Sequence, residues 1–267
     1  MKVEYNGETK RTSAKPRKRK KRRLKPAFYI FLAMLVIGTL TALSLTVFFE
    51  VGGFELSGSS VYSADEITYT SGLLVGDNLI RINTKKASSA IEQGLPYIKS
   101  AVVKRKFPDK VSIEVTPAEE YAVALIADEY FIVDSDFKVL SKTDGKKDGL
   151  LYIKCSESVK ASPGFELDFT QGNEYDDLKT IMTYTSSKGL SATVIDVTSR
   201  VSVSAVLDNR LYVTFGSSVN LERKLEFLSS MMSSVPNDVN ASIDLGSWNE
   251  SNKKATLVYE DISDKLN

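Results

Sequence analysis

Two Ser-x-x-Lys tetrads are the first places to look for chemistry, Ser135-Asp136-Phe137-Lys138 and Ser251-Asn252-Lys253-Lys254. On a helix, that spacing sets an amine one turn from a hydroxyl, where it can help activate the oxygen for acyl transfer. Neither tetrad falls on an expected helix. The Lys-Thr-Gly and Ser-Asp-Asn companions of penicillin-binding enzymes are missing, and Lys142-Thr143-Asp144-Gly145 is only a near match. Paired carboxylates occur at Glu119-Glu120, Asp134/Asp136 and Asp176-Asp177. A glycosidase needs two of them converging on a cleft, one shielded enough to raise its pKa, and solvated faces explain most such pairs. Asp134-Ser135-Asp136 lacks the Gly and the terminal Glu of a calcium loop, and there is no Gly-rich phosphate cradle. The chain has no His, which excludes Ser-His-Asp triads, His general bases and most catalytic zinc sites. Cys155 is the single cysteine, so neither an internal disulfide nor a Cys-rich metal cluster can form; it reads as a buried, inert thiol. No catalytic, cofactor-binding or metal-binding residue is singled out.

The elements that would position any site begin with a charge asymmetry. The net charge of +1 hides a segment, 1–25, with 12 Lys/Arg against Glu4 and Glu8, or +10; the remainder carries 23 basic and 32 acidic groups, or −9. Residues 27–49 follow with 23 consecutive uncharged positions, enough for a helix of about 35 Å, against a hydrocarbon core of about 30 Å. Lys20, Lys21, Arg22, Arg23 and Lys25 precede the run and Glu50 follows it. The positive-inside rule therefore predicts a single-pass helix with a cytoplasmic N-terminus and an extracytoplasmic C-terminus. A cleaved signal peptide is the competing reading, but this run is longer than an ordinary signal core and ends on bulky Val47, Phe48 and Phe49. The basic segment 1–26 is expected to stay disordered and to fix topology at anionic headgroups rather than to grip nucleic acid.

Residues 50–118 read as one small α+β module. A strand is predicted over 51–57, ended by Gly58. Ser63 and Glu66 form a capping box for a short helix that stops near Gly72. After the turn Gly76-Asp77-Asn78-Leu79, Asn83 caps a second helix with Ala87, Ala90 and Ile91 on one face, ended by Gly94 and Pro96. Strands follow over 98–107 and 110–116, with Val111, Ile113 and Val115 alternating with polar residues.

Residues 119–262 read as a second, mixed α/β module. Strands are predicted over 121–126 and 130–133, then a polar stretch, then a helix over 175–188 with Leu178, Ile181 and Met182 on one face. Val201, Val203, Ala205 and Leu207, the turn Asp208-Asn209-Arg210, and Leu211, Val213 and Phe215 make the clearest hairpin. Asn220 caps a helix carrying Leu221, Leu225, Leu228 and Met232. Strands over 241–245 and 255–260 close the module, and 263–267 is a short tail.

These pieces resemble a known family. Phe54-Glu55-Leu56-Ser57-Gly58, Asp65-Glu66-Ile67, Gly76-Asp77-Asn78-Leu79 and the run from Leu95-Pro96-Tyr97-Ile98 through Ala101-Val102-Val103-Lys104-Arg105-Lys106-Phe107-Pro108-Asp109 to Val115 are similar, as an ordered set, to a POTRA domain. With the anchor, the hairpin, Gly216 and Ile243-Asp244-Leu245, about 27–260 resembles the FtsQ/DivIB family of bacterial cell-division proteins. The fold this implies is α+β: a membrane helix, a β-α-α-β-β POTRA domain, and a β domain with a C-terminal edge strand. Two departures stand out. Pro117-Ala118-Glu119-Glu120-Tyr121-Ala122 replaces the family's usual join, and Gly246 stands where Arg often follows Asp-Leu.

A sheet that ends on a short C-terminal strand leaves one edge of N–H and C=O groups for a partner. Trp248 lies just before that strand, either as a lid on the module's own core or as an interface anchor. The resemblance implies a noncatalytic scaffold at the division septum that binds the extracytoplasmic parts of FtsB/DivIC-like and FtsL-like proteins. By position, that contact carries over to Ser247, Trp248, Ala255, Thr256, Leu257, Val258 and Tyr259. Other division components would meet the POTRA domain. No cofactor is implied. The alternative is a membrane-anchored envelope enzyme using Ser/Lys or carboxylates on peptidoglycan.

Overall fold

Charge and hydropathy divide the sequence near residue 50, and the computed structural model divides into two units at the same place, Met1–Phe48 and Phe49–Asn267. The structure describes residues 1–4, 7, 26–47, 49–169, 174–232 and 234–266. The topology residues Lys20, Lys21, Arg22, Arg23 and Lys25 lie outside the described residues. Helix α1 runs Pro26–Val47, opening on a proline, which suits a first helical turn because its missing N–H has no intrahelical partner there. Among the described residues, no helix is long and apolar enough to cross a membrane.

The first module forms as its caps and alternation dictate. Strand β1 is Gly53–Gly58, α2 Ala64–Thr70, α3 Thr84–Gly94, β2 Ile98–Lys106 and β3 Lys110–Pro117. Both expected caps are present. Ser63 and Glu66 make the reciprocal capping box on α2, and the Asn83 side chain accepts the Lys86 N–H on α3. In the sheet, β3 is central, parallel to β1 and antiparallel to β2. Val51 falls short of β1 because its N–H donates to the Asp77 carbonyl and its own carbonyl accepts the Gly76 N–H, both at 2.8 Å. Ile67, Leu79, Ile91, Ile98, Val111 and Ile113 fill the core under α2 and α3.

The second module is a nine-stranded sheet, larger than the sequence suggests. Its strands are β4 Ala122–Ile126, β5 Glu129–Val133, β6 Val139–Thr143, β7 Leu151–Lys154, β8 Ala192–Asp196, β9 Val203–Leu207, β10 Leu211–Gly216, β11 Ala241–Asp244 and β12 Thr256–Tyr259, with helices α4 Glu174–Ser187 and α5 Leu221–Met232. Their spatial order is β12-β11-β10-β9-β8-β7-β4-β5-β6. Strands β6 and β7 fall in the stretch read as polar, and β8 was not expected at all. Strand β7 has only four residues, the first three buried, so it shows no alternation to read. One sheet face packs on α4 and α5 through Ile153, Leu178, Ile181, Val213, Phe215 and Leu225. The other face is covered by Ala118 and Tyr97 at one end and by Ile262 and Leu266 of the C-terminal segment. Asn220 begins α5 differently from an ordinary cap. Its backbone is left-handed (φ 59°), and its carbonyl accepts the Lys224 N–H at 3.1 Å.

A buried lysine joins the modules. Lys138 is 8% exposed, and its ammonium donates to the carbonyls of Glu92 at 2.7 Å and Ile98 at 2.6 Å. Asp134 holds the loop that presents it, accepting the N–H groups of Asp136 and Lys138 at 2.9 Å each. Gly164, at φ 86°, passes so close to the end of α3 that a Cβ there would lie 1.9 Å from the Gln93 carbonyl oxygen. Tyr97 adds hydroxyl contacts to Glu120 and Ser141, both 3.0 Å.

Candidate functional site

Neither Ser-x-x-Lys tetrad lies on a helix. Lys138 spends its ammonium on main-chain carbonyls at the joint, and burial pulls it below the usual lysine range. The Ser135 hydroxyl instead accepts from Lys99 at 3.3 Å. Ser251 and Lys254 are exposed on a turn rather than a helix; there the Asn249 side chain accepts the N–H groups of Ser251 and Asn252 at 3.0 and 2.8 Å. The carboxylate pairs are separately engaged. Glu120 binds Lys147, which holds its carboxyl below the ordinary value, and Asp136 pairs with Lys99 at 2.8 Å. Asp177 on α4 is buried, and desolvation raises its carboxyl. Among the described residues, no group of three or more His, Cys, Asp and Glu is placed to hold a metal.

What the sheet does offer is an edge. At the β6 end the chain folds back: Val139 donates to the Phe165 carbonyl and Gly164 to the Val139 carbonyl, both at 2.9 Å. At the other end, among the described residues β12 pairs only with β11, antiparallel, with Ile243 opposite Leu257 and Ser242 opposite Val258. Glu260 donates its N–H to the Asn240 carbonyl at 3.3 Å. Antiparallel pairs alternate between bonded and non-bonded residues. Thr256 and Val258 therefore turn their main-chain groups toward β11, whereas Leu257 and Tyr259 turn theirs outward. This is a two-residue spacing ready for an added strand.

The side chains alternate as well. Ala255 and Leu257 pack against the helical-face core and Val258 faces the other way, 46% exposed, while Tyr259, on the Leu257 side, is itself 58% exposed. The edge strand is thus seated by one face and presents apolar surface beside its free main-chain groups.

Ser247 is exposed, but the neighbouring Trp248 is folded inward, 7% exposed and packed on Phe227 of α5 with ring centroids 6.2 Å apart. Of the two roles open to Trp248 in the sequence, its position is that of a lid on the core. Its indole N–H is buried without a hydrogen-bond partner. Asp244 shapes the turn before it, accepting the Gly246 N–H at 2.7 Å. Gly246 also lies against Gly216, where an added Cβ would come within 2.8 Å of its Cα. The departure from Arg at this position therefore coincides with a close main-chain crossing. The strand period legible in the sequence could have flagged Leu257 and Tyr259 as a pair, but only the bond between Glu260 and Asn240 shows which alternate residues face outward.

Comparison with known proteins bears on the first module most directly. Residues 49–116 match the POTRA domain, FtsQ-type, family. The cell division protein FtsQ of Corynebacterium glutamicum is 30% identical over 89 residues, 33% of this chain and 40% of the relative. The cell division protein DivIB of Clostridium botulinum (strain Hall) is 26% identical over 125 residues, 47% of this chain and 48% of the relative. The chain is similar to FtsQ and DivIB cell division proteins, and residues 49–116 carry the FtsQ-type POTRA domain. A third similar protein, the cell division protein FtsQ of Myxococcus fulvus, is 30% identical over 100 residues, 36% of the chain and 34% of the relative. The matched regions cover less than half the length of each of these FtsQ and DivIB relatives. The POTRA domain is the β1-α2-α3-β2-β3 module, and β12 belongs to the large sheet that follows it.

Proposed function

We propose that this protein is a noncatalytic, membrane-anchored scaffold of the bacterial division machine, and that it takes a partner's strand along β12. The observation that carries the reading is the outward-facing main chain of Leu257 and Tyr259 on an otherwise bare sheet edge. By family resemblance the partners are the extracytoplasmic parts of FtsB/DivIC-like and FtsL-like proteins, with Ser247 and residues 255–259 at the contact and Trp248 folded beneath it as core. Other division components meet the POTRA domain.

Anchoring rests on the uncharged run 27–49 behind Lys20, Lys21, Arg22, Arg23 and Lys25. In α1 every described side chain is exposed, Phe31 at 63% and Met34 at 69% among them. A helix that is apolar all round suits a lipid surrounding. The N-terminus then stays in the cytoplasm and both modules lie outside, at the septum. A fluorescent fusion of the full chain in dividing cells tests the role: a mid-cell band is expected, and a uniform rim would contradict it.

A further inference from the structure

We propose that the tip of the β2–β3 hairpin is a membrane-contact site, with Phe107 and Ile80 seated in the outer surface of the bilayer that α1 crosses; this rests on the anchoring reading given above. Phe107 is 59% exposed at the tip, and Ile80 is 41% exposed. Such large apolar side chains at a tight turn gain nothing from water. They are held together by the start of the module. The Phe107 ring packs edge-on against Phe49 with centroids 5.6 Å apart, and the Phe49 carbonyl accepts the N–H of Leu79, the residue before Ile80, at 2.7 Å.

Covalent tethering selects lipid as the occupant. Phe49 is the second residue after Val47, the last residue of α1, so the chain between them spans at most about 7.6 Å. A bilayer crossed by α1 therefore presents its surface within that reach of Phe49, and Phe107 touches Phe49. Aromatic side chains favour this water–lipid boundary.

Charge on the same end is balanced. Lys106 and Lys110 share one carboxylate, that of Glu55, at 2.5 and 2.7 Å, which leaves one positive charge over. The Arg105 guanidinium is held by the carbonyls of Leu79, Ile80 and Ile82 rather than by carboxylates, so its charge adds to that excess. Glu50 and Asp109 cancel this excess, so the tip is neutral overall and its seating rests on Phe107 and Ile80.

The test uses the full chain in phosphatidylcholine/phosphatidylglycerol vesicles, with an environment-sensitive fluorophore on a single introduced cysteine. Cys155 remains in place because it is buried, and unsubstituted protein is the labelling blank. Labels go on Phe107→Cys, Ile80→Cys, Leu35→Cys within α1, and Tyr69→Cys. Tyr69 is 87% exposed beside Thr70, whose side chain lies against Gly94, and the nine-residue β2 leads from that end to the tip. Nitroxide lipids are expected to quench the labels at 35, 80 and 107, and a water-soluble quencher to reach the label at 69. Quenching by lipid at 35 with water access at both 80 and 107 would overturn the proposal and leave the anchor standing. Loss of lipid quenching at 35 as well would remove the anchoring reading, and the proposal with it.

Discussion

The ammonium of Lys138 donates to the main-chain carbonyl of Ile98 at 2.6 Å, so a residue of the large sheet's first loops holds the first residue of the POTRA domain's β2. A second bond to Glu92 ties the same lysine to α3. A buried lysine is costly unless its donors are used, and here they satisfy carbonyls near the joint while Asp134 and Glu92 lend some charge compensation. Replacing Lys138 with Met keeps the stem's bulk and removes both bonds. Leaving a buried acceptor unpaired costs about 1–3 kcal/mol. Denaturant unfolding should show a loss in that range, with faster proteolysis between residues 117 and 121; unchanged cleavage there would mean that the joint does not depend on Lys138.

Gly164 and Gly189 separate conformational strain from crowding at that joint. Both have positive φ, 86° and 69°, but a Cβ at Gly189 meets nothing within 4 Å, whereas one at Gly164 runs into the Gln93 carbonyl. Gly189→Ala should cost about 1–2 kcal/mol from the left-handed backbone alone. Gly164→Ala should cost clearly more, read as the difference between their thermal midpoints.

Trp248 should behave as core. Trp248→Ala is expected to cost about 3–5 kcal/mol by leaving a cavity over Phe227. Trp248→Phe, which keeps an aromatic ring and removes the unpartnered N–H, should cost less than about 1.5 kcal/mol. Calorimetry of the two variants checks this, and equal losses would point to a role for the indole N–H.

Cys155 makes the fold sensitive to alkali. Burial pushes its thiol up to about 12 from 9.0, with smaller contributions from Glu174 and Asp196. A raised folded-state value means that the unfolded chain gives up the proton first. The stabilisation is thus complete below pH 9 and is lost progressively as pH rises from 9 toward 12. Cys155→Val should flatten that part of the stability profile relative to the native chain, measured by unfolding at pH 8, 9.5 and 10.5.

How much of this was legible in the sequence follows from which signals are local. The capping box of Ser63 and Glu66, the Asn83 cap and the β9–β10 hairpin are written in neighbouring residues, and all are present. Strand β8 leaves no such mark, since its partners β7 and β9 are set by register rather than by its own pattern. Lys138 shows the same limit at a single residue. Beside Ser135 it reads as half of a catalytic tetrad, and only the arrival of Glu92 and Ile98 from the other module turns it into a joint. Trp248, in a polar turn, gives no hint that the turn folds it onto α5. The C-terminal strand was legible as an edge, but which of its amides face outward was not.

Proline substitution separates the free side of β12 from its bonded side. Tyr259→Pro removes an outward N–H from an exposed residue, and Leu257→Pro removes the other; Val258→Pro removes a donor facing β11. The first two should weaken partner binding with the sheet intact, and the third should destabilise the sheet itself. Circular dichroism and binding measured on the same preparations check the contrast.

The most direct measurement is amide hydrogen exchange along β12 with and without the extracytoplasmic part of a DivIC-like partner. The account predicts that the Val258 amide is protected in both states, while those of Leu257 and Tyr259 exchange freely alone and become protected on binding. Binding that leaves Leu257 and Tyr259 exchanging as before would contradict strand addition at this edge.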